Sequence, residues 1–255
     1  TYPWLLASDT TSAGFANCTL CEFRLFNGAD APSFKGAYNR ELTDTEAASC
    51  VGYWKLNDGN GSTVTDSSGN NITGIIGGEG PEWVTDSSVV VGRSGLEFFG
   101  ESGFIDVLAD GGVASRSFNL WDTGTQALWT SGADGRRSWT FTFIYTPRLA
   151  PGETTVRDQT IFWTGAATDP SPLGVRVESE DLKVYYRDAA SGTQSTSVSA
   201  SNLLTTNVNK RHRVAISCLR YGTAGEKISA SVAVEGATPA AGQSFSWGGA
   251  VYYAT

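Results

Sequence analysis

Large apolar residues recur at every second position through much of the chain. Trp139, Phe141, Phe143 and Tyr145 alternate with Thr140, Thr142, Ile144 and Thr146 before Pro147, the period of a strand with one heavy face. Val175 and Val177 repeat the pattern, Glu178-Ser179-Glu180-Asp181 predicts a polar turn, and Leu182, Val184 and Tyr186 predict the returning hairpin partner. Val214, Ile216 and Cys218 form another inward row. Tyr221-Gly222-Thr223-Ala224-Gly225 turns it, and Ile228, Ala230, Val232 and Val234 resume it. Residues 20–26 are apolar on both faces apart from Glu22 and Arg24, which predicts a central strand.

One short helix is expected. Thr43-Asp44-Thr45-Glu46 is a capping box, in which the threonine hydroxyl takes an orphan amide and the glutamate reaches back. Ala47 and Ala48 continue it, Cys50-Val51-Gly52 ends it, and Tyr53-Trp54-Lys55-Leu56 opens a strand. Regular hairpins with almost no helix predict an all-β fold, a two-sheet antiparallel jelly-roll sandwich.

Composition sharpens this picture. Thirty glycines in 255 residues suit a chain of many turns, and eight Trp, nine Tyr and twelve Phe can fill an inter-sheet core. The balance of 18 Lys+Arg against 26 Asp+Glu gives a net charge of -8, and Arg136-Arg137 and Lys210-Arg211 are isolated basic pairs. Nucleic acid is therefore excluded as a partner, because phosphate neutralisation needs clustered cations. Membrane insertion is excluded too, since no apolar run approaches the ~20 residues a bilayer span requires. The chain has no Met, which predicts a processed protein or a piece of a longer one.

Asn17-Cys18-Thr19, Asn60-Gly61-Ser62 and Asn71-Ile72-Thr73 are N-glycosylation sequons, so Asn17, Asn60 and Asn71 are acceptor candidates. Cys18, Cys21, Cys50 and Cys218 are disulfide candidates, and four cysteines allow three pairings. On an extended segment Cys18 and Cys21 point to opposite faces, so each pairs elsewhere or stays a thiol. These features predict an extracellular or surface-exposed protein, whether secreted, on a cell or on a virion.

A family resemblance runs through the same residues. Gly52-Tyr53-Trp54-Lys55-Leu56-Asn57-Asp58-Gly59-Asn60-Gly61-Ser62, continuing to Asp66-Ser67-Ser68-Gly69-Asn70-Asn71 and Gly74, resembles the opening of a laminin-G-like jelly roll of the concanavalin A-like lectin/glucanase superfamily. Trp83-Val84, Leu96-Glu97-Phe98-Phe99-Gly100 and Ser138-Trp139-Thr140-Phe141 are similar to its next strands. Arg211-His212-Arg213-Val214-Ala215 and Val234-Glu235-Gly236 resemble later ones. The closing motifs come first in this chain: Leu20-Cys21-Glu22-Phe23-Arg24-Leu25-Phe26-Asn27 and Leu42-Thr43-Asp44-Thr45-Glu46 look like the last strand and terminal helix. Residues 1–50 are thus expected to be the C-terminal portion of such a jelly roll, and 51–255 the N-terminal and central portion of the same or the next one. A circular permutation and one period of a tandem array both fit, with two unrelated fragments of a longer chain as a third alternative.

Candidate chemistry is sparse. Glu178 and Glu180 come closest to a paired-carboxylate glycosidase site, but the segment is predicted to be a solvated turn, and no catalytic residue is expected. His212, the only histidine, reads as a surface or sheet residue rather than a member of a triad. Asp66, Asn70 and Asn71 present oxygen ligands on a glycine-bearing loop, which suggests calcium, with an Asx-type turn as the alternative. The resemblance adds that similar jelly rolls often hold a structural calcium near this loop. For sugar stacking, Trp121, Asp122 and Trp129 are the leading candidates, with Trp163, Trp247, Tyr252 and Tyr253 as further aromatics. The expected function is a non-enzymatic structural or adhesive module, a repeat unit whose partners are neighbouring copies or tandem domains. The alternative is a glycan-binding recognition domain.

Overall fold

The computed structural model describes residues 4–8, 14–27, 41–85, 94–100, 102–107, 139–164, 173–188, 192–197, 205, 207–221 and 225–234. These residues form fifteen strands and one short helix. The first half of the chain supplies β1 (Trp4–Leu6), β2 (Asn17–Asn27), α1 (Asp44–Ala47), β3 (Cys50–Trp54), β4 (Thr63–Val64) and β5 (Gly74–Gly77). β6 (Glu82–Thr85), β7 (Ser94–Phe99) and β8 (Phe104–Asp106) follow. The second half supplies β9 (Trp139–Pro147), β10 (Gln159–Thr164), β11 (Leu173–Glu178) and β12 (Asp181–Asp188). It ends with β13 (Gly192–Ser197), β14 (His212–Tyr221) and β15 (Gly225–Val234).

Two antiparallel sheets pack as a sandwich. The first runs β13-β12-β11-β10-β1-β8-β5-β4, and the second runs β15-β14-β9-β2-β7-β6, with β3 also paired to β2. The core lies between them. Phe162, Val175, Val177, Leu182 and Val184 from one sheet meet Leu20, Phe23, Leu25, Phe141, Phe143, Val214 and Ile216 from the other. Rings close the gap: Phe162 stands 5.3 Å from Phe23 and 4.8 Å from Phe141, centroid to centroid. Such contacts bury large apolar area and add the edge-to-face preference of aromatic pairs, the main reason the layers hold.

The central strand read at residues 20–26 is β2. It pairs with β9 on one side, and on the other with β7 along its first half and β3 along its second. Against β9 its register shifts between Leu20 and Glu22, a bulge at Cys21. Cys18 and Leu20 face the inter-sheet core before the bulge, and Phe23 and Leu25 face it after. Cys21 packs with Ile144 instead. Every residue from Asn17 to Phe26 is buried, so this strand has no solvent face.

α1 is a single turn whose capping box is complete: Thr43 Oγ1 accepts from Glu46 N–H, and a Glu46 carboxylate oxygen accepts from Thr43 N–H. The strand after it begins at Cys50, three residues earlier than expected, because Cys50 already pairs with Phe26. It also ends earlier, at Trp54, since Leu56 turns the chain with φ 56°. Leu42 and Ala47 then pack on Phe26, Cys50 and Tyr53 and clamp α1 to the sheet.

Candidate functional site

The Asp66 loop connects β4 to β5 and lies against β3. Asp66 Oδ1 accepts from Tyr53 N–H at 3.0 Å and Ser68 N–H at 2.9 Å. Its Oδ2 accepts from the Ser68 hydroxyl at 2.8 Å and Ile72 N–H at 3.0 Å. Asn70 turns its amide nitrogen inward and donates to the carbonyls of Cys50 and Val51, each at 3.0 Å. Asn71 is exposed and takes the left-handed conformation, φ 58°. Of the three residues proposed for calcium, Asp66 and Asn70 therefore stitch the loop to β3. A cation at Asp66 would have to displace four donors. Among the described residues no three His, Cys, Asp or Glu side chains gather as a metal site. Trp54 completes the brace, donating its indole N–H to the Ile72 carbonyl at 2.7 Å.

A second arrangement lies on the outer face of the eight-stranded sheet. Cross-strand register aligns Trp163 of β10, Gly174 of β11 and Tyr185 of β12 in one row. The Trp163 ring lies over Gly174, where a Cβ would come within 2.1 Å of the indole Cε3, so glycine is the residue that fits. Tyr185 tilts against Trp163 with centroids 5.7 Å apart. The Arg176 guanidinium stands 6.0 Å from the Trp163 ring and 5.9 Å from the Tyr185 ring, within cation–π range. Arg176 and Lys183 both pair with Glu178, at 3.3 and 3.5 Å. The row joins a ring surface to mixed donors and acceptors, and Arg176, Glu178, Lys183 and Tyr185 are half-buried. The Trp163 indole N–H is buried and has no hydrogen-bond partner among the described residues.

Other residues singled out from sequence lie in strands and turns. Ser179 and Glu180 are the two left-handed residues of a tight hairpin, φ 52° and 67°, between the paired Glu178 and Asp181. Ser179 N–H also donates to Asp158 at 2.8 Å. Glu178 sits at the end of the strand and Glu180 in the turn. His212 is fully buried, with Nδ1 2.9 Å from the Lys210 carbonyl and its ring 6.1 Å from that of Tyr145. Ser217 pairs with Ser229, five residues along β14 from His212, about 17 Å by strand rise.

Cys18, Cys21 and Cys50 are buried thiols rather than halves of disulfides among themselves. Burial pushes the Cys18 thiol well up, and pushes Cys50 up to about 12. The Cys218 side chain lies outside the described residues. Asn60 and Asn71 are exposed, as glycan acceptors must be. Asn17 is 6% exposed on β2, its N–H bonded to Gln159, so a sugar there is incompatible with the packing. Trp121, Asp122, Trp129, Trp247, Tyr252 and Tyr253 lie outside the described residues.

One cluster was not singled out from sequence. Glu22 and Arg24 form a buried ion pair on the face of β2 that turns away from the core, and Arg24 lies 5.2 Å from the Tyr53 ring centre. Burial, then the Glu22 carboxylate, pushes the Tyr53 phenol up. The signal was two opposite charges two positions apart in an otherwise apolar strand. No helix among the described residues is long and apolar enough to cross a membrane. No family profile, curated protein or solved structure matches the chain.

Proposed function

We propose that the chain is an extracellular structural and adhesive module of laminin-G-like character, a repeat unit of a larger surface protein, fibre or filament. The observation that supports this reading is the work its most reactive-looking groups perform. Asp66 has four donors on two oxygens, and Glu22 is held by Arg24. Asp66 ties its loop to β3 and Glu22 balances Arg24 within β2, and the reading assigns neither group a catalytic role or a bound metal. Neighbouring copies or tandem domains are the partners. The pairing of β2 with β3, β7 and β9 supports taking residues 1–50 and 51–255 as parts of one sandwich. In the permutation reading that sandwich is one domain; in the array reading residues 1–50 complete one unit and 51–255 open the next.

Sedimentation velocity of the native chain across the micromolar range tests this reading. Mass that rises with concentration, beside silence on a glycan array, is the expected result. A strict monomer that binds a defined glycan would overturn it.

A second reading, glycan recognition, is favoured by the Trp163–Arg176–Tyr185 row. Pyranose rings stack on aromatic faces, and the Arg176, Lys183 and Glu178 heads offer both donors and acceptors for hydroxyls. Tyr185→Ala would then abolish binding while the fold persists.

A further inference from the structure

β1 and β2 belong to one stretch of chain, residues 4–27, yet each stands in the interior of a different sheet. β1 is bonded to β10 on one side and β8 on the other. β2 is bonded to β9 on one side and to β7 and β3 on the other. Lifting the stretch out would split the first sheet into β13-β12-β11-β10 and β8-β5-β4. It would split the second into β15-β14-β9 and β7-β6, and would leave β3 without its partner. Leu6, Cys18, Leu20, Phe23 and Leu25 would leave the inter-sheet core at the same time.

The slot that receives this stretch is made of backbone donors and acceptors and of apolar rings, so it is the same in every copy of the chain. Residues 28–40 connect β2 to the turn that carries α1; fully extended, they measure about 45 Å. That contour is comparable to the diameter of a folded chain of this length, about 45 Å, so it can reach the slot of a copy packed alongside. We infer that residues 4–27 are a donor segment, able to complete the sandwich of a second copy of this chain in place of their own. The bonds made in exchange are those of the closed chain, formed between copies, which is the condition for strand exchange. The inference rests on the repeat-unit reading and adds the means by which units join.

Concentration decides the outcome. A connector of thirteen residues holds the segment near its own slot at an effective concentration on the order of millimolar. Dilute chains close on themselves. In a filament or array, neighbouring slots are present at a comparable level, and exchange competes.

Two full-length variants test this. Phe23→Asp spoils the donor and leaves the slot whole; Phe162→Asp spoils the slot and leaves the donor whole. Each refolded alone should lack native near-UV dichroism. Refolded together they should regain about half the wild-type signal in a species of twice the chain mass, since one of the two sandwiches in each exchanged pair is sound. A mixture no more folded than its components would overturn the inference. Wild-type chain refolded at high and low concentration supplies an independent reading. Dimers that persist on dilution are expected at high concentration, and monomer at both would also overturn it. If native chains self-associate while exchange fails, the repeat-unit reading stands and the donor segment falls. If neither occurs, both fall.

Discussion

Replacing Asp66 by Ala removes one acceptor group from four donors at once. All four belong to buried residues, and no other acceptor serves the N–H groups of Tyr53, Ser68 and Ile72 in the described contacts. A buried donor left unpaired costs about 1–3 kcal/mol. The Ser68 hydroxyl retains the Val51 carbonyl at 3.4 Å, and Asp66 is half-buried, so water can recover part of the loss. The sum is about 2–4 kcal/mol, or roughly 5–15 °C in Tm for a chain of this length. Asp66→Asn keeps one oxygen and should fall between Ala and wild type. Urea unfolding followed by tryptophan fluorescence and near-UV dichroism gives the difference from the midpoints at constant slope. Calcium or EDTA should move the wild-type midpoint negligibly, because a cation that bound the folded loop would stabilise it by mass action. The reasoning fails if Asp66→Ala unfolds within about 0.5 kcal/mol of wild type, the scatter of an ordinary surface change. It fails equally if calcium raises the wild-type Tm and leaves the variant unmoved.

Other outcomes follow from the same geometry. Burial raises the acid groups of Cys18, Cys50, Tyr53 and Tyr145. Their neutral forms therefore favour the folded chain fully below the unfolded thiol value near 8.5, and that contribution fades as pH climbs toward 12. Stability should fall steeply between those limits, and Ellman's reagent should find Cys18 and Cys50 only after denaturation; a flat stability profile from pH 8 to 11 would contradict this. Glu180→Gly should stabilise by about 0.5–1 kcal/mol, because Glu180 holds a left-handed conformation that glycine adopts without strain; a lower urea midpoint would refute the turn assignment. Gly174→Ala should cost about 1–3 kcal/mol by displacing the Trp163 ring, with a changed indole emission as its signature. An unchanged spectrum would show that the ring does not lie over this strand.

What could be read from sequence divides by range. β9 and α1 were legible because alternation and a capping box are local signals, and both are present in the structure. The bulge at Cys21 was not, because an extra residue leaves no trace in a stretch apolar on both faces. The early start of β3 was hidden for a related reason: pairing of Cys50 with Phe26, far away in sequence, decides it. The Trp163–Gly174–Tyr185 row depends on register among three strands, which no single segment encodes. In the Asp66 loop the residues of interest were visible and their orientation was not. Asn70 has both an acceptor and donors, and only the fold turns its nitrogen toward β3.

β2 also changes what a systematic substitution scan would look like. A strand with one wet face tolerates change at every other position, giving a sawtooth of period two. Between Asn17 and Phe26 both faces are covered, with the polar Thr19, Glu22 and Arg24 as enclosed as the apolar Leu20 and Leu25. The sawtooth should vanish there and give way to an unbroken plateau of intolerance. Such a plateau is usually taken as the mark of a binding motif; here it would be the mark of a strand with no outside.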